Sequence, residues 1–507
     1  MQRLETRITA GPRAERFEVH SPFDGELLYA LPTSTEADVA LAFEAARRAQ
    51  RAWAQRSVRE RARVFLRLHD LVLAHRNEGL DLVQAETGKA RRDAHDELLD
   101  VCLNARYYAR SAPKMLRPKR HLGALPVLIG VEEIAQPKGV VGVIAPWNYP
   151  LTLAISDAIP ALLAGNGVVL KPDMQTTGTA LWIVDLLIQA GLPESLFQVV
   201  TGDGPTIGGA VVEHADYVMF TGSTATGRLI AQRCGERLIG CSLELGGKNA
   251  MIVRGDVDVH AAAEIAARAA FSNAGQLCIS IERMYVNRDV ADDFIDVFIA
   301  HTRALRMHAG VGWSSDIGSL ISARQLQRVR EHVDDAIAKG ATVLSGGVAR
   351  PDIGPLYFEP TILRDVPETA VACRHETFGP VVSITVVDDD ETAIALANDS
   401  EFGLNASVLT DDLKAGQAIA KRLRAGTVNV NEGFAAAWGS TRSPMGGMGA
   451  SGLGRRHGAE GLMKYTEAQT IATSRYLGFA TPFGWSDERW ADTLASALGL
   501  MKRLRVK

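Results

Sequence analysis

Between about residues 139 and 253, short apolar runs alternate with stretches of helical periodicity. The apolar runs are typical of strands covered on both faces, and they span 140–145, 167–171, 197–200, 217–220 and 249–253. Helical stretches such as 179–190 and 227–234 lie between them. Because a strand, a helix and a further strand form one unit of a parallel sheet, this alternation predicts an α/β fold.

A second alternating segment extends from about residue 257 to 440. Its strand-like runs are 283–287, 381–387 and 427–431, and a helix-like run spans 325–340. The residues from 35 to 112 have helical spacing throughout. A chain of 507 residues is long enough for two or three domains. We therefore predict two α/β domains preceded by helices.

The composition excludes several classes of protein. The chain is 47% hydrophobic and 22% charged, its formal net charge is −4, and no Lys/Arg run is interleaved with aromatic residues. We therefore expect a globular protein that binds a small molecule and no nucleic acid. The first residues contain charges of both signs without an apolar segment, and no run of about 18 apolar residues occurs. This pattern predicts a cytoplasmic protein.

The five cysteines are scattered and form no Cys-x-x-Cys pair, so neither a disulfide framework nor a metal site is predicted. Cys278 follows the Gly275–Gln276 pair, shortly after an alanine-rich, helix-like run at 261–271. A free cysteine is usually a buried, inert side chain. Burial and nucleophilic catalysis are therefore alternative roles for Cys278.

Two stretches at the ends of predicted strands could bind a cofactor. Residues 220–230 follow an apolar run and begin a helix, and Gly222 and Gly227 would let the backbone approach a pyrophosphate at the helix N-terminus. The stretch is neither a G-x-G-x-x-G nor a Walker motif, so an ordinary strand-to-helix turn is the alternative. Lys171 ends another predicted strand, where it could bind a ligand or simply be solvated.

Two other polar residues could take part in a reaction. Asn148 lies between two prolines, which would hold its amide ready to donate to an oxyanion, although asparagine is also common in turns. Glu244 lies between two leucines, so burial would raise its pKa and let it act as a base near neutral pH. A buried ion pair is the alternative for Glu244. With Cys278 and the possible pyrophosphate-binding turn at 220–230, these groups match the set needed to oxidise an aldehyde through a thioester, with hydride transfer to a nicotinamide.

Six stretches, in order, resemble the signature blocks of the aldehyde dehydrogenase superfamily. They are 145-APWNYP-150, 221-TGSTATG-227, 243-LELGGKN-249, 275-GQLC-278, 376-ETFGP-380 and 444-PMGGMGASGLGR-455. The similarity covers about residues 20 to 470. It implies two Rossmann-like domains with parallel sheets, one for the cofactor and one for catalysis, and a protruding β element that forms oligomers.

The same resemblance implies roles for individual residues. It makes Cys278 the nucleophile, Glu244 the general base and Asn148 the oxyanion-stabilising amide of a non-acylating, NAD(P)-dependent enzyme. The cofactor-binding residues that it implies are Ala145, Pro146, Trp147, Lys171, Gly222, Ser223, Gly227, Leu245, Gly246, Glu376 and Phe378.

The choice between the two nicotinamide cofactors depends on one position. Members of the family that prefer NAD usually carry a glutamate three residues after the lysine, where this chain has Met174. Loss of that glutamate removes a repulsion against a 2′-phosphate, yet Asp173 could restore the repulsion or the ribose hydrogen bond. Both NAD and NADP are therefore candidate cofactors.

Residues 171–176, 275–287 and 438–447 most resemble bacterial succinic semialdehyde dehydrogenases of this family. Arg442 could pair with a substrate carboxylate or be a solvated loop residue. The other predicted substrate-binding residues would suit aromatic or longer aliphatic aldehydes, and they are Trp147, Tyr149, Leu153, Leu277, Ile279 and Trp438.

The resemblance also divides the chain into domains. The predicted units are a cofactor domain of residues 1–121 and 138–246, a catalytic domain of 247–440, oligomerisation strands at 122–137 and 464–474, and a C-terminal extension of 475–507. We expect a homodimer or homotetramer. The basic, amphipathic pattern from residue 489 predicts a helix that could contact a membrane surface weakly, touch a neighbouring subunit or pack on its own chain.

Other functions compete with this prediction. An enzyme that transfers the acyl group to coenzyme A would not need the water activation that Glu244 provides. A non-catalytic protein on the same fold is disfavoured because Cys278, Glu244 and Asn148 are all present. A cysteine protease is disfavoured because no histidine stands in a motif with Cys278. We therefore expect an enzyme that oxidises aldehydes to carboxylic acids.

Overall fold

The computed structural model describes residues 1–124, 129–474 and 480–505. Its helices are α1 Gln2–Glu5, α2 Glu36–Ala54, α3 Val58–Ala74, α4 Arg76–Thr87, α5 Arg91–Met115, α6 Pro150–Ile155, α7 Ala158–Leu163, α8 Thr177–Gln189, α9 Gly209–His214, α10 Thr224–Glu236, α11 Val259–Phe271, α12 Ala291–Arg303, α13 Ala323–Ala338, α14 Val371–Arg374, α15 Asp390–Asn398, α16 Leu413–Ala420, α17 Ala435–Trp438, α18 Glu460–Met463 and α19 Asp487–Arg503. Its strands are β1 Arg16–His20, β2 Leu27–Pro32, β3 Lys119–Leu122, β4 Ile129–Pro137, β5 Val140–Ile144, β6 Gly167–Lys171, β7 Phe197–Val199, β8 Tyr217–Thr221, β9 Gly240–Glu244, β10 Asn249–Val253, β11 Ile281–Asn287, β12 Thr342–Ser345, β13 Thr361–Arg364, β14 Val381–Val387, β15 Asn405–Leu409, β16 Thr427–Val430, β17 Gly452–Leu453 and β18 Thr466–Ser474.

The first large sheet has the strand order β17-β9-β8-β5-β6-β7 and is parallel except for β17. Alternate residues of β5 belong to different apolar clusters. Val140 packs with α2 and α9, whereas Val141 and Val143 pack in the cluster that holds α5 to α8. Helices therefore cover both faces, which explains why the whole of β5 is apolar or glycine and fully buried.

The second large sheet has the order β12-β13-β14-β11-β10-β15-β16 and is parallel except for β12. The predicted α/β fold with two parallel-sheet domains is confirmed. The sequence patterns missed β9 and β17 of the first large sheet and β12, β13 and β15 of the second. β9 begins Gly-Cys-Ser, so it carries little of the apolar signal by which the other strands were recognised.

Several helix boundaries are encoded locally. Helices α2 and α3 begin after Thr35 and Ser57, whose hydroxyl groups accept a hydrogen bond from the backbone N–H three residues later. The carboxylates at those positions, Asp38 and Glu60, accept from the N–H of the capping residue in return. Helix α4 ends at Gly88, whose φ of 70° is the left-handed conformation that terminates many helices.

A third sheet is antiparallel, with the order β18-β4-β3. Strands β4 and β18 pair over nine positions, from Thr466 with Pro137 to Ser474 with Ile129. They lie within the segments predicted for oligomerisation, of which residues 125–128 are outside the described residues. The side chains of β18 after Thr466 are exposed.

The predicted C-terminal helix is present as α19, although residues 475–479 and 506–507 of the extension are outside the described residues. Leu498 and Leu504 expose more than 60% of their surface. Within the described part of the chain, no helix is long and apolar enough to cross a membrane.

Candidate active site

The candidate site lies between two different edges of the large sheets. Strands β5, β8 and β9 of the first sheet end there, and the residues that precede β10, β11 and β14 of the second sheet face them. A cavity of about 380 Å³ separates the two edges, and we call it the large cavity. Its lining includes Trp147, Gly222, Ser223, Glu244, Leu245, Gly246, Cys278, Glu376 and Phe378.

A second cavity, of about 30 Å³, lies on the other side of Cys278, and we call it the narrow cavity. Its lining is Asp96, Asn148, Tyr149, Thr152, Leu153, Leu277, Cys278, Ile279, Phe434, Trp438, Met445 and Arg456. Cys278 and Asn148 line both cavities. Cys278 is partly exposed as a residue and stands where the two cavities meet, so a molecule in either cavity can reach it.

The loop before Cys278 has an unusual backbone. Asn273, Ala274 and Gly275 all have positive φ, at 52°, 51° and 69°. A Cβ on Gly275 would lie 2.0 Å from the carbonyl oxygen of Gly379, so only glycine fits at this position. Two consecutive non-glycine residues in the left-handed region store strain, which the surrounding contacts must hold. Contacts with the rest of the chain therefore hold the loop before Cys278 in this backbone conformation.

The Asn148 amide is aimed at the same loop. Its Nδ2 atom donates one hydrogen bond to the backbone oxygen of Gln276, over 3.1 Å. A primary amide has two N–H groups, so one remains for another acceptor. Asn148 is buried, and its backbone oxygen accepts hydrogen bonds from Lys89 and Asn273, which suits a donor that must not reorganise during a reaction.

Glu244 ends β9 with only 4% of its surface exposed. Its Oε1 atom is buried and has no hydrogen-bond partner in the protein. Burial raises the pKa of Glu244 to about 7, although the positive charges of Arg456 and Lys464 oppose the shift. The sequence predicted such a raised pKa from the leucines around Glu244. A carboxyl group of this kind can accept a proton near neutral pH.

The electrostatic surroundings of Cys278 oppose ionisation. Burial raises the pKa of the Cys278 thiol to about 12, and the negative charges of Glu376 and Glu244 contribute to the shift. Burial also raises the pKa of Glu376 to about 7, and its Oε1 accepts a hydrogen bond of 2.8 Å from the backbone N–H of Gly247. In the free protein, the resting form of Cys278 is therefore the thiol.

We expect Cys278 to react slowly with iodoacetamide at pH 7 in the free protein, because only the thiolate is the nucleophile and the raised pKa keeps its population small. The alkylation rate should increase with pH up to at least pH 10, whereas an ordinary thiol would level off above about pH 9. Mass spectrometry of the peptide that contains Cys278 measures this rate. A plateau at or below pH 9 would contradict the raised pKa.

The large cavity fits a nicotinamide dinucleotide. The turn from β8 into α10 carries Gly222 and Ser223, and the Ser223 hydroxyl caps the helix by accepting from the Thr226 N–H. The N-terminus of this 13-residue helix offers backbone N–H groups and positive potential to a pyrophosphate. Near Cys278 in the same cavity, the rings of Trp147 and Phe378 meet edge-on, with their centres 5.5 Å apart.

Three of the predicted cofactor-binding residues do not line the large cavity. Ala145 is buried at the end of β5, and Lys171 is buried at the end of β6, where its Nζ donates to the backbone oxygen of Pro172 over 3.1 Å. Gly227 lies in α10, and a Cβ there would come within 2.5 Å of a methyl group of Leu245. Gly227 thus allows α10 to approach the residue that follows Glu244.

Most of the predicted substrate-binding residues line the narrow cavity, namely Tyr149, Leu153, Leu277, Ile279 and Trp438. Trp147 instead faces the large cavity. Arg442 is exposed and lines neither cavity. The sequence patterns missed Arg456, whose guanidinium pairs with Asp157, because it lies beyond the loop of Arg442, in which a cation was expected.

Comparison with known proteins agrees with this architecture. The model of the aldehyde dehydrogenase family matches residues 9–471. A protein of Mycolicibacterium smegmatis named "Putative succinate-semialdehyde dehydrogenase [NADP(+)]" is 55% identical over 486 residues, which cover 96% of this chain and 94% of that protein. The succinate semialdehyde dehydrogenase of Acinetobacter baylyi is 35% identical over 459 residues, covering 90% of this chain and 93% of that protein.

A solved structure is similar as well. The betaine aldehyde dehydrogenase of Staphylococcus aureus, in complex with NAD+, superimposes with a TM-score of 0.88 at 29% identity and covers 95% of each chain. The family match covers most of the chain, and the two-sheet fold and the cavities around Cys278 agree with it. This protein belongs to the aldehyde dehydrogenase family.

Proposed function

We propose that this protein oxidises succinic semialdehyde to succinate, with NADP+ as the preferred acceptor and Cys278 as the nucleophile. The observation that carries the proposal is the position of the Cys278 sulfur, where the large cavity meets the narrow one. The names of the relatives from M. smegmatis and A. baylyi support the substrate.

Charge beside the narrow cavity supports a substrate with a carboxylate. Arg456 contributes to the lining, and Asp157 is shared between Arg456 and Lys464. Burial would raise the pKa of Asp157, but these two cations lower it to about 2. Arg456 also interacts with Glu244 and Asp100, and Asp96 lines the same cavity. The support for a negatively charged substrate group therefore comes from the place of the Arg456 guanidinium in the lining and not from a net positive charge.

The proposed reaction begins with the addition of the Cys278 sulfur to the aldehyde carbon. The thiol proton leaves to solvent, and the carbonyl oxygen becomes an oxyanion that accepts hydrogen bonds from the free N–H of the Asn148 amide and from the Cys278 backbone N–H. A nicotinamide in the large cavity, when bound, accepts the hydride of the aldehyde carbon. Cys278 then holds the acyl group as a thioester.

Hydrolysis of the thioester completes the proposed reaction. Glu244 removes a proton from water, and the hydroxide adds to the thioester carbon. The carbon–sulfur bond breaks, the acid leaves and the Cys278 thiolate recovers a proton. A base near the thioester is what distinguishes this route from transfer to coenzyme A. The burial of Glu244 and its pKa of about 7 suit that task at neutral pH.

The preference for NADP+ rests on the residues after Lys171. Met174 offers no carboxylate that would repel a 2′-phosphate. Asp173 is engaged locally, because its Oδ1 accepts a hydrogen bond of 3.0 Å from the backbone N–H of Gln175. The printed name of the M. smegmatis relative supports the same cofactor.

Initial-rate measurements test the proposal. We expect kcat/KM for succinic semialdehyde with NADP+ to exceed that for hexanal or benzaldehyde by about 10-fold or more, since an ion pair to a buried cation contributes over 1 kcal/mol. Each aldehyde is measured with both NAD+ and NADP+. A higher kcat/KM for hexanal or benzaldehyde would favour the alternative function, broad oxidation of apolar aldehydes, for which the apolar lining of the narrow cavity is the supporting observation.

The finer assignments of assembly and location are also proposals. The exposed side chains of β18 and β3 offer a surface through which copies of this chain could form a homodimer or homotetramer. We place the enzyme in the cytoplasm. A weak membrane contact would use the exposed Leu498 and Leu504 of the C-terminal segment together with Lys502 and Arg503.

A further inference from the structure

One buried face of helix α5 carries carboxylates that contact several loops of the active site. Asp93, Glu97 and Asp100 lie about one turn apart, so they point to the same side of the helix. Asp93 Oδ2 accepts a hydrogen bond of 3.0 Å from the Asn273 N–H, and Asp100 Oδ2 accepts one of 2.7 Å from the Ser156 hydroxyl. Helix α5 therefore binds loops from both domains through its buried carboxylates.

Glu97 anchors the loop that carries Asn148. Its Oε2 accepts hydrogen bonds from the backbone N–H groups of Leu151 and Thr152, over 2.8 and 3.2 Å, at the first turn of α6. The backbone oxygen of Glu97 also accepts from the Thr152 hydroxyl. A carboxylate at this place satisfies N–H groups that a helix start leaves unpaired.

Lys89 connects this anchor to Asn148 itself. Its Nζ atom donates to Glu97 Oε1 and to the backbone oxygen of Asn148, each over 2.6 Å, and it lies 4.0 Å from the centre of the Tyr149 ring. The side chains of Lys89 and Glu97 are both 0% exposed. Burying such a pair costs desolvation free energy, and its hydrogen bonds only partly repay that cost.

The backbone oxygen of Asn148 has a second donor, which comes from the loop before Cys278. Asn273 Nδ2 donates to the backbone oxygens of Asn148 and Gln276, over 3.1 and 3.0 Å. The Gln276 oxygen in turn accepts from the Asn148 side chain. Asn148 is thus held at its backbone by Lys89 and Asn273 and at its amide by Gln276, two residues before Cys278.

We propose that Lys89, with Glu97, is a positioning residue that fixes the Asn148 amide relative to the Cys278 sulfur. The inference rests on the proposed function, in which that amide stabilises the oxyanion. Such a donor works only within about 0.5 Å of its place, and a displacement of about 1 Å costs about 100-fold in rate. A purely structural role, in which the pair only joins the α4–α5 connection to the core, is the alternative.

A double-mutant cycle separates the two roles. We expect Lys89→Met to slow the burst of reduced cofactor, measured by rapid mixing with succinic semialdehyde and NADP+, by about 10- to 100-fold. In an Asn148→Ala background the same change should slow the burst by less than about 2-fold, because the group through which Lys89 acts is absent. An equal loss in both backgrounds would overturn the positioning role.

A second readout does not depend on the aldehyde or the cofactor. The acylation of Cys278 by p-nitrophenyl acetate also forms an oxyanion at the sulfur, so we expect the same coupling between Lys89 and Asn148 there. If wild-type protein acylates but produces no burst with any aldehyde, the proposed function fails while the positioning role is still decided by the ester. Independent, multiplicative losses with the ester would refute the positioning role.

The variants include a test for misfolding. Lys89→Met alone leaves the buried carboxylate of Glu97 unpaired, so the double variant Lys89→Met/Glu97→Gln removes both charges and keeps an oxygen acceptor for α6. Arg61→Met is the matched control, because Arg61 is a buried cation of α3 that donates to the backbone oxygens of Leu163 and Ala54. We expect Arg61→Met to lower Tm without slowing acylation. A double variant that lowers Tm but acylates at the wild-type rate would contradict the proposal.

Discussion

Cys278→Ala is expected to abolish aldehyde oxidation, with a loss of about 10⁴-fold or more in kcat. The reason is geometric, because Cys278 lies where the large and narrow cavities meet and supplies the nucleophilic atom in the proposed reaction. Without the sulfur, no covalent adduct forms and no hydride donor is generated. The measurement is the formation of reduced cofactor at saturating aldehyde, both in the steady state and in a single turnover.

The control for this variant is a cysteine outside the site. Cys373 is also a partly exposed free thiol, but it lines neither cavity, so Cys373→Ala should retain wild-type kcat. Cofactor binding by Cys278→Ala, measured by calorimetry, should remain within about 3-fold of wild type because alanine keeps the backbone of the loop. Turnover by Cys278→Ala at the wild-type rate would remove Cys278 from its role as nucleophile.

Glu244→Gln is expected to separate the two halves of the reaction. Glutamine has nearly the same shape but cannot take a proton from water, so the thioester should accumulate after one burst of reduced cofactor. We expect the steady-state rate to fall by about 10³-fold, within the range typical for loss of a general base. Acid quench and mass spectrometry of the acylated Cys278 peptide measure the trapped intermediate.

The pH dependence provides an independent check on Glu244. Burial raises its pKa to about 7, so the carboxylate is ionised above that pH and protonated below it. Where hydrolysis limits the rate, wild-type kcat should therefore increase as pH rises through about 7 and decrease as pH falls. Glu244→Gln should lose this dependence. Sustained turnover by the variant, with an unchanged pH profile, would show that another group activates the water.

The patterns of the sequence predicted much of the fold. Strands such as β5 and β6 are buried on both faces, and their apolar runs are strong enough to be recognised without a structure. Strand β9 was missed although it carries Glu244, because it begins with glycine, cysteine and serine and so lacks a continuous apolar run. It pairs with β8 and with β17, which lies more than 200 residues later in the chain.

In the candidate site, too, some positions could be predicted from the sequence and others could not. Glu244 follows the expectation that ligands bind at the carboxyl ends of parallel strands. Cys278 does not, because it precedes β11 and comes from the amino edge of the second sheet. That arrangement depends on how the two sheets face each other, which no local pattern encodes. The exposed position of Arg442 and the place of Arg456 beside the narrow cavity are likewise consequences of the path of the chain.

By itself, the sequence determined the alternation of strands and helices and the chemical identities of the thiol, the carboxyl and the amide. These depend on residue type and on neighbours a few positions away. Only the tertiary structure decided the raised pKa of Cys278, the meeting of the two cavities at its sulfur and the contact of Lys89 with Asn148. Lys89 and Asn148 are 59 residues apart, and Asn148 and Gln276 are 128 apart. Burial, charge and hydrogen bonding between such distant residues exist only once the chain has packed.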